Sequence, residues 1–255
     1  MTDPRVVSLA PSATATLSAM GAADTLVGVT HHCDPPADAG SAHGVAPTVV
    51  GGWLDPSLER IGELSPDVVC TSDGLQAELA VDCRDRGFEV DHCEPATLED
   101  VLTTFERRGE AVGRPAAGSR LADAARGRLD RVADAVADRP RPTVYCEEWS
   151  EPPMAAGNWV PDAVRVAGGR YPFVDAGERS REVDGAAVEA AEPDHAVVHV
   201  CGHGTRVDRT VITERDWAVD PEVHVVDDSL LNQPSPALID GVERLAELFH
   251  PDIDL

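Results

Sequence analysis

The stretch 116–138 constrains this chain more than any other part of it. Leu121, Ala125, Leu129, Val132 and Val136 recur at steps of four, four, three and four, which draws one apolar stripe along an otherwise charged helix. At 1.5 Å per residue that helix is about 35 Å long. Gly113-Arg114-Pro115 precedes it and Asp138-Arg139-Pro140-Arg141-Pro142 follows it, and both segments break helices. Strand-like and helix-like segments alternate on either side. A single stiff helix between two such halves is a rigid tether, unlike a Gly/Ser linker. The expected architecture is therefore α/β: two Rossmann-like lobes with parallel or mixed sheets, spanning 1–115 and 139–255, joined by the helix 116–138.

Short strands are predicted at 6–9, 26–29, 68–71 and 89–92, with helices near 12–20, 56–64 and 75–87. Thr97 caps a further helix, with Asp100 in the capping-box position and Leu98, Val101, Leu102 and Phe105 on one face. The second half restarts with a strand at 143–146 and continues with strands at 196–200 and 223–226. Its helices are expected near 159–167, 185–191 and 236–249, the last with Ser235 as N-cap and Pro236 in the first helical position. One internal echo links the halves: Ser65-Pro66-Asp67-Val68-Val69-Cys70 has the form of Glu192-Pro193-Asp194-His195-Ala196-Val197-Val198. A repeat of this kind points to related lobes.

A chain of 255 residues has room for two lobes of roughly 110 residues with proper cores. Its charge is unusual: 46 acidic residues oppose 21 basic ones, every one of them arginine, for a net charge of −25. Spread along the whole chain, this charge makes an acidic solvated surface whose self-repulsion salt screens; the Debye length is about 3 Å at 1 M. Adaptation to molar salt is the expected reading, because an acidic face for a cationic partner would show clustering. Nucleic-acid binding is excluded for want of a basic stripe. The six cysteines (33, 70, 83, 93, 146 and 201) lack metal-ribbon or disulfide-framework spacing, and Cys70, Cys146 and Cys201 read as small buried hydrophobes. After Met-Thr-Asp-Pro-Arg there is no apolar leader, twin-arginine signal or lipobox, and no apolar run spans a membrane. As it stands the sequence reads as cytoplasmic; removal of a leader would make the protein extracytoplasmic and membrane-associated.

Three segments carry the candidate binding residues: Val6–Ser12, Val50–Pro56 and Glu148–Trp159. Each is an apolar strand candidate running into Pro, Gly or Trp, an arrangement that presents rigid aromatics at a cleft rim. Trp53 and Trp159 lie in Gly/Pro-rich turns, with Trp149 between them in the third segment; ordinary packing at a domain junction is the alternative. His31-His32-Cys33-Asp34 has metal-ligand chemistry, but adjacent histidines point apart, and a polar turn closing into Pro35-Pro36 is the stronger account of it. Cys201-Gly202-His203-Gly204 follows a strand as a nucleophile would, yet side chains two apart seldom pair productively. Gly202 and Gly204 either let the backbone approach a ligand or make the turn. A metalloenzyme using His31, His32, Cys201 and His203 around zinc or iron is the rival of another class. Asp227, Asp228 and Asn232 follow the last strand, where ligands of open α/β sheets bind; Asx-turn chemistry is the alternative. Glu59, at the start of a helix, is expected to be exposed.

Taken together, Ser8-Leu9-Ala10-Pro11-Ser12, Gly28-Val29-Thr30-His31, Gly52-Trp53-Leu54-Asp55-Pro56, Leu58-Glu59-Arg60-Ile61, Ala167-Gly168-Gly169 and Asn232-Gln233-Pro234-Ser235-Pro236 with Asp240-Gly241 resemble the vitamin B12-binding proteins that feed ABC importers. The resemblance runs nearly end to end. It implies a bilobed binding protein with one rigid connecting helix, little hinge motion and a cobalamin held between the lobes. It implies no catalysis, no catalytic cofactor and no resident metal. Trp53 would stack on the corrin from the first lobe; Trp159 and the Asp227/Asp228 region would face it from the second. Pro11, Ser12, His31, Trp149, Gly202, His203 and Asn232 complete the ligand set, His31 as an axial approach to the ligand's metal. Glu59 would dock onto arginines of a membrane permease. The sequence departs from the family pattern in three places. The second docking glutamate falls at Ala186, the tyrosine that often precedes the proline pair near residue 35 is missing, and no signal peptide is present. A monomer is expected. An iron-siderophore or haem binder of the same fold is the nearer rival, for which Tyr145 and Tyr171 are the only tyrosines.

Overall fold

The computed structural model describes residues 3–255, which divide into two compact units. The first comprises the chain through Pro95 together with Leu102–Ala124; the second comprises Ala96–Val101 and Ala125–Leu255.

In the first unit β1 (Val6–Ser8), α1 (Pro11–Ala19), β2 (Leu26–Val29), β3 (Thr48–Val49), α2 (Leu58–Glu63), β4 (Val68–Ser72), α3 (Ala77–Asp85) and β5 (Val90–Cys93) follow one another. Their sheet is parallel throughout, in the order β3-β2-β1-β4-β5. That is the doubly wound order, whose direction of winding reverses between β1 and β4. Successive residues enter opposite layers: Val6, Leu26 and Val68 pack with Leu17 and Val112, whereas Val7, Val27 and Val69 pack with Ile61 and Cys83. Both faces of a parallel sheet must be covered, and the runs Val6-Val7 and Val68-Val69 supply both. α4 (Leu98–Ala111) and α5 (Pro115–Val136) come next. The Thr97 capping box forms as expected: Thr97 Oγ1 accepts from Asp100 N at 3.2 Å, and Asp100 Oδ2 accepts from Thr97 N at 2.9 Å. Arg108 on α4 enters the core to meet Asp91 at 2.8 Å and donates to the Thr71 carbonyl at 3.2 Å, so α4 is tied to β4 and β5.

The second unit contains β6 (Val144–Ser150), β7 (Pro153–Ala155), α6 (Val160–Val166), β8 (Arg181–Glu182), α7 (Gly185–Ala191), β9 (His195–Val198), α8 (Thr210–Thr213), β10 (Glu222–Val225) and α9 (Ala237–Phe249). Its sheet order is β10-β9-β6-β7-β8, parallel from β10 to β6 and antiparallel beyond. The fold is α/β, with two sheets flanked by helices. The two- and three-residue strands β3, β7 and β8 are additions to the elements expected from sequence. At α9, Pro236 is the N-cap and makes no side-chain cap. Ser235, expected there, is buried one residue earlier.

The echo between the halves is structural. Asp67 Oδ2 accepts from Arg5 N and Asp194 Oδ2 from Thr143 N, both at 2.7 Å. The return bonds, Asp67 N to Arg5 O and Asp194 N to Thr143 O, are both 2.8 Å. Each Pro-Asp follows a residue of left-handed backbone, Ser65 at φ 47° and Glu192 at φ 46°. Each aspartate thus clamps the start of a central strand to its neighbour, β4 to β1 and β9 to β6.

Inside the first unit α4 and α5 pack through glycine. A Cβ placed on Gly118 would lie 2.5 Å from the Phe105 carbonyl oxygen, and one on Gly109 would lie 2.8 Å from the Gly118 Cα. Backbone stands in the way at both positions, so the helices must separate to admit a methyl group. Gly118→Ala is expected to lower the unfolding free energy by about 1–3 kcal/mol despite its better helix propensity, measured by chemical denaturation. A stabilised variant would contradict this packing.

Candidate functional site

In the first unit the carboxyl ends of β1 and β4 flank the point where the winding reverses. Gln76, wholly buried, ties this end together. Its Oε1 accepts from Ser72 N at 2.8 Å, and its Nε2 donates to the carbonyls of Leu9 at 3.0 Å and Trp53 at 2.7 Å. One amide therefore fixes the loops after β1, β3 and β4. The Trp53 loop is closed by a bridge between Gly51 and Pro56. Gly51, at φ 138°, brings its α-carbon so near that a Cβ would sit 2.8 Å from the Pro56 Cα, so no other residue fits this turn. Trp53 is half-buried, while Leu54 and Leu75 on the same loops are exposed, Leu75 by 62 %. The sequence reading missed Gln76, Leu54 and Leu75.

Pro11 and Ser12 occupy the first turn of α1; Ser12 is buried there and offers a ligand little surface. His31 and His32 stand exposed on the loop after β2, with the His31 amide bonded to the Gly51 carbonyl. Glu59 is exposed on α2, whose N-cap is Ser57.

The second unit holds its strand ends by different means. Glu147, fully buried on β6, accepts from Tyr145 Oη at 2.8 Å and Ser150 Oγ at 2.7 Å, and is gripped by both terminal nitrogens of Arg215. The Arg215 guanidinium lies 4.5 Å from the Trp217 ring centroid. A buried carboxylate needs such full pairing, and here the pairing holds the carboxyl end of β6. There Trp149 is 48 % exposed, its indole N–H donated to the Glu151 carbonyl.

Trp159 is a correction. It is only 5 % exposed and donates its indole N–H to the Leu231 carbonyl at 2.7 Å. Its role is to pack the core, and the exposed aromatic of this unit is Trp149. The loops after β9 and β10 are likewise bound to each other. Asp228 accepts from Gly202 N at 2.8 Å and Gly204 N at 2.7 Å, using both carboxylate oxygens. Asp227 caps the turn at Ser229, which holds its carboxyl below the usual range. Asn232 donates to the His199 carbonyl at 2.9 Å and accepts from the His199 ring. Gly202, Asp227, Asp228 and Asn232 thus build the loops, as Asx-turn chemistry would, instead of presenting polar groups to a ligand.

Cys201 is exposed, contrary to expectation. Partial desolvation, then the charge of Asp228, pushes its thiol pKa up, the opposite of an activated nucleophile. His203 bonds the Cys201 carbonyl, not the thiol. Nor do His31, His32, Cys201 and His203 form a metal cluster: among the described residues, three such ligands converge only at His195, Glu222 and His224. Ala186 is exposed on α7, and the nearby acids are engaged, Asp184 with Ala187 N and Glu189 with Ala218 N.

His199 lies fully buried beyond β9, and burial lowers its pKa to about 4. Because Asn232 presents its oxygen, His199 Nδ1 is the donor, and Nε2 is left without a partner. The unfolded chain binds this proton below the ordinary value near 6.5 and the folded chain does not. Stability is therefore fully present above that pH and lost as pH falls towards 4, by about 3 kcal/mol. Denaturant titrations at pH 7 and pH 4 are expected to show His199→Gln losing less stability than the parent by about that amount; equal losses would place the acid sensitivity elsewhere.

Comparison with known proteins agrees with this geometry. The periplasmic binding protein family model matches residues 6–220. The vitamin B12-binding protein of Vibrio cholerae is 27 % identical over 94 % of this chain and 87 % of its own length. The cobalamin-binding protein of Halobacterium salinarum is 27 % identical over 96 % of this chain and 69 % of its own. An ABC transporter substrate-binding protein of Listeria monocytogenes superposes with a TM-score of 0.83 at 19 % identity, covering 98 % of this chain and all of that one. With a family match across most of its length and the same fold, the chain belongs to the periplasmic binding protein family.

Proposed function

We propose that this protein binds a corrinoid of the cobalamin type and serves as the substrate-binding component of an ABC-type importer, without catalytic activity. The observation that carries the reading is where its exposed apolar side chains lie. Of the seven large apolar residues exposed among those described, Val49, Leu54, Leu75 and Trp149 lie at or just beyond strand carboxyl ends, as does the half-buried Trp53. At the same strand ends Gln76, Asp227, Asp228 and Asn232 spend hydrogen bonds on backbone. A broad, largely apolar disc needs flat apolar contacts on rigid loops, and the Gln76 and Glu147 networks provide that rigidity.

Two relatives named for vitamin B12 or cobalamin support this choice of ligand. The siderophore or haem alternative needs groups to meet an iron chelate, and the tyrosines are withdrawn from that role. Tyr145 bonds Glu147, Tyr171 bonds the Ala156 carbonyl, and burial drives both phenols to higher pKa. Glu59 is the residue assigned to permease docking.

Titration with cyanocobalamin in molar KCl, followed by tryptophan fluorescence, is expected to show one saturable site. Trp149→Ala and Trp53→Ala should each weaken it about tenfold, a loss of about 1.4 kcal/mol. Gln76→Ala should weaken it similarly through disorder of the Trp53 loop. Glu59→Arg should leave the titration unchanged and abolish capture by the cognate permease. Saturable binding of haemin or a ferric siderophore with none of cyanocobalamin would overturn the reading.

A further inference from the structure

We propose that His195, His224 and Glu222 form a binding site for one divalent transition-metal ion of the zinc type. The strand register creates it. Glu222 pairs directly with His195 at the start of β10 and β9, and His224 lies two residues along β10. Side chains two apart on a strand share a face, and cross-strand neighbours in register share it too. All three ligands therefore project from one face of the sheet at its edge strand.

The distances suit an ion. His195 Nδ1 and His224 Nε2 are 3.0 Å apart, and the Glu222 carboxylate oxygens lie 3.8 Å from the first and 3.9 Å from the second. Two metal bonds of about 2.05 Å at a tetrahedral angle separate their donor atoms by about 3.3 Å. The imidazoles need to open by only a few tenths of an ångström. Glu222, whose side chain is 69 % exposed and whose two oxygens face one histidine each, has further to close and a flexible stem on which to do so.

Burial lowers the pKa of both histidines, which favours the neutral ligand form. Phe249 lies against the His195 ring with centroids 5.4 Å apart and limits its rotation. Glu222 and Asp194 bring negative charge to His195, while His224 faces Glu222 together with the positive Arg209 and Arg244. His195 also borders an open pocket of about 470 Å³ shared with Pro142, Phe249 and His250, which gives solvent a route to the ring.

Two imidazoles and one carboxylate are borderline donors that select zinc-like ions, whereas calcium and magnesium prefer all-oxygen shells. Three protein ligands leave a fourth position for water. The site lies at the amino-terminal ends of β9 and β10, about 10 Å along the strand from the loops that follow them. It is therefore independent of the corrinoid reading. The competing description is a plain His–His hydrogen bond beside a solvated glutamate, which binds no ion.

Chelator-treated protein titrated with Co²⁺ should develop the visible d–d absorption of a tetrahedral centre at one ion per chain, and Zn²⁺ should bleach it. His224→Ala should weaken binding by more than about 100-fold, beyond what loss of an outer-shell partner costs. Glu222→Gln changes an exposed side chain that the fold does not need, and should weaken binding about tenfold while keeping the parent's unfolding transition without metal. The double variant His31→Ala/His32→Ala should bind as the parent does. Absence of a stoichiometric site would overturn the proposal. So would undiminished affinity in Glu222→Gln and His224→Ala, or loss of the site in the His31/His32 double variant. If His224→Ala fails to fold, Glu222→Gln decides alone.

Discussion

In each unit the loops at the strand carboxyl ends depend on strand register, and an aspartate helps to set it. Parallel strands cannot be aligned by a hairpin turn, so their starts must be pinned by other means. Asp67 pins β4 to the residue before β1, and Asp194 pins β9 to the residue before β6, each with a pair of bonds to one partner residue's backbone. A slip of one residue would turn every side chain to the other face. It would also move the far ends of the strands, where Gln76 must meet three loops and Asn232 must meet His199.

These far ends share a chemical economy. Nearly every polar side chain there is engaged with backbone: Gln76, Asp227, Asp228 and Asn232 all close loops. Facing outward beside them are the apolar Leu54, Leu75 and Trp149 together with His31 and His32, and the exposed Cys201 thiol has a raised pKa. Apolar groups on rigid loops hold a ligand by shape and contact.

Much of the fold was legible because its signals are local or periodic. The apolar stripe along α5, the Thr97 capping box and the repeated Pro-Asp all lie within a few residues of what they determine. What escaped depends on partners remote in sequence. Gln76 bonds a carbonyl 67 residues earlier, and nothing in Asp73-Gly74-Leu75-Gln76 announces it. Trp159 looked like a rim aromatic because a tryptophan in a Gly/Pro-rich turn has the same local context whether it faces solvent or core. Only its bond to Leu231, 72 residues away, decides. Histidines that adjoin, as at 31 and 32, are visible in sequence, whereas His195 and His224 meet across 29 residues through strand register. The strands β3, β7 and β8 are too short for any alternation to show.

If the loops at the strand carboxyl ends receive a corrinoid, their amides are protected when it binds. Hydrogen–deuterium exchange with and without cyanocobalamin, in molar KCl, tests it most directly. Slowed exchange is expected at residues 51–56, 73–77 and 148–151, with the amino-terminal ends of β9 and β10 unchanged. Saturable binding that leaves those loops unprotected, or protects the His195 and Glu222 end instead, would contradict it.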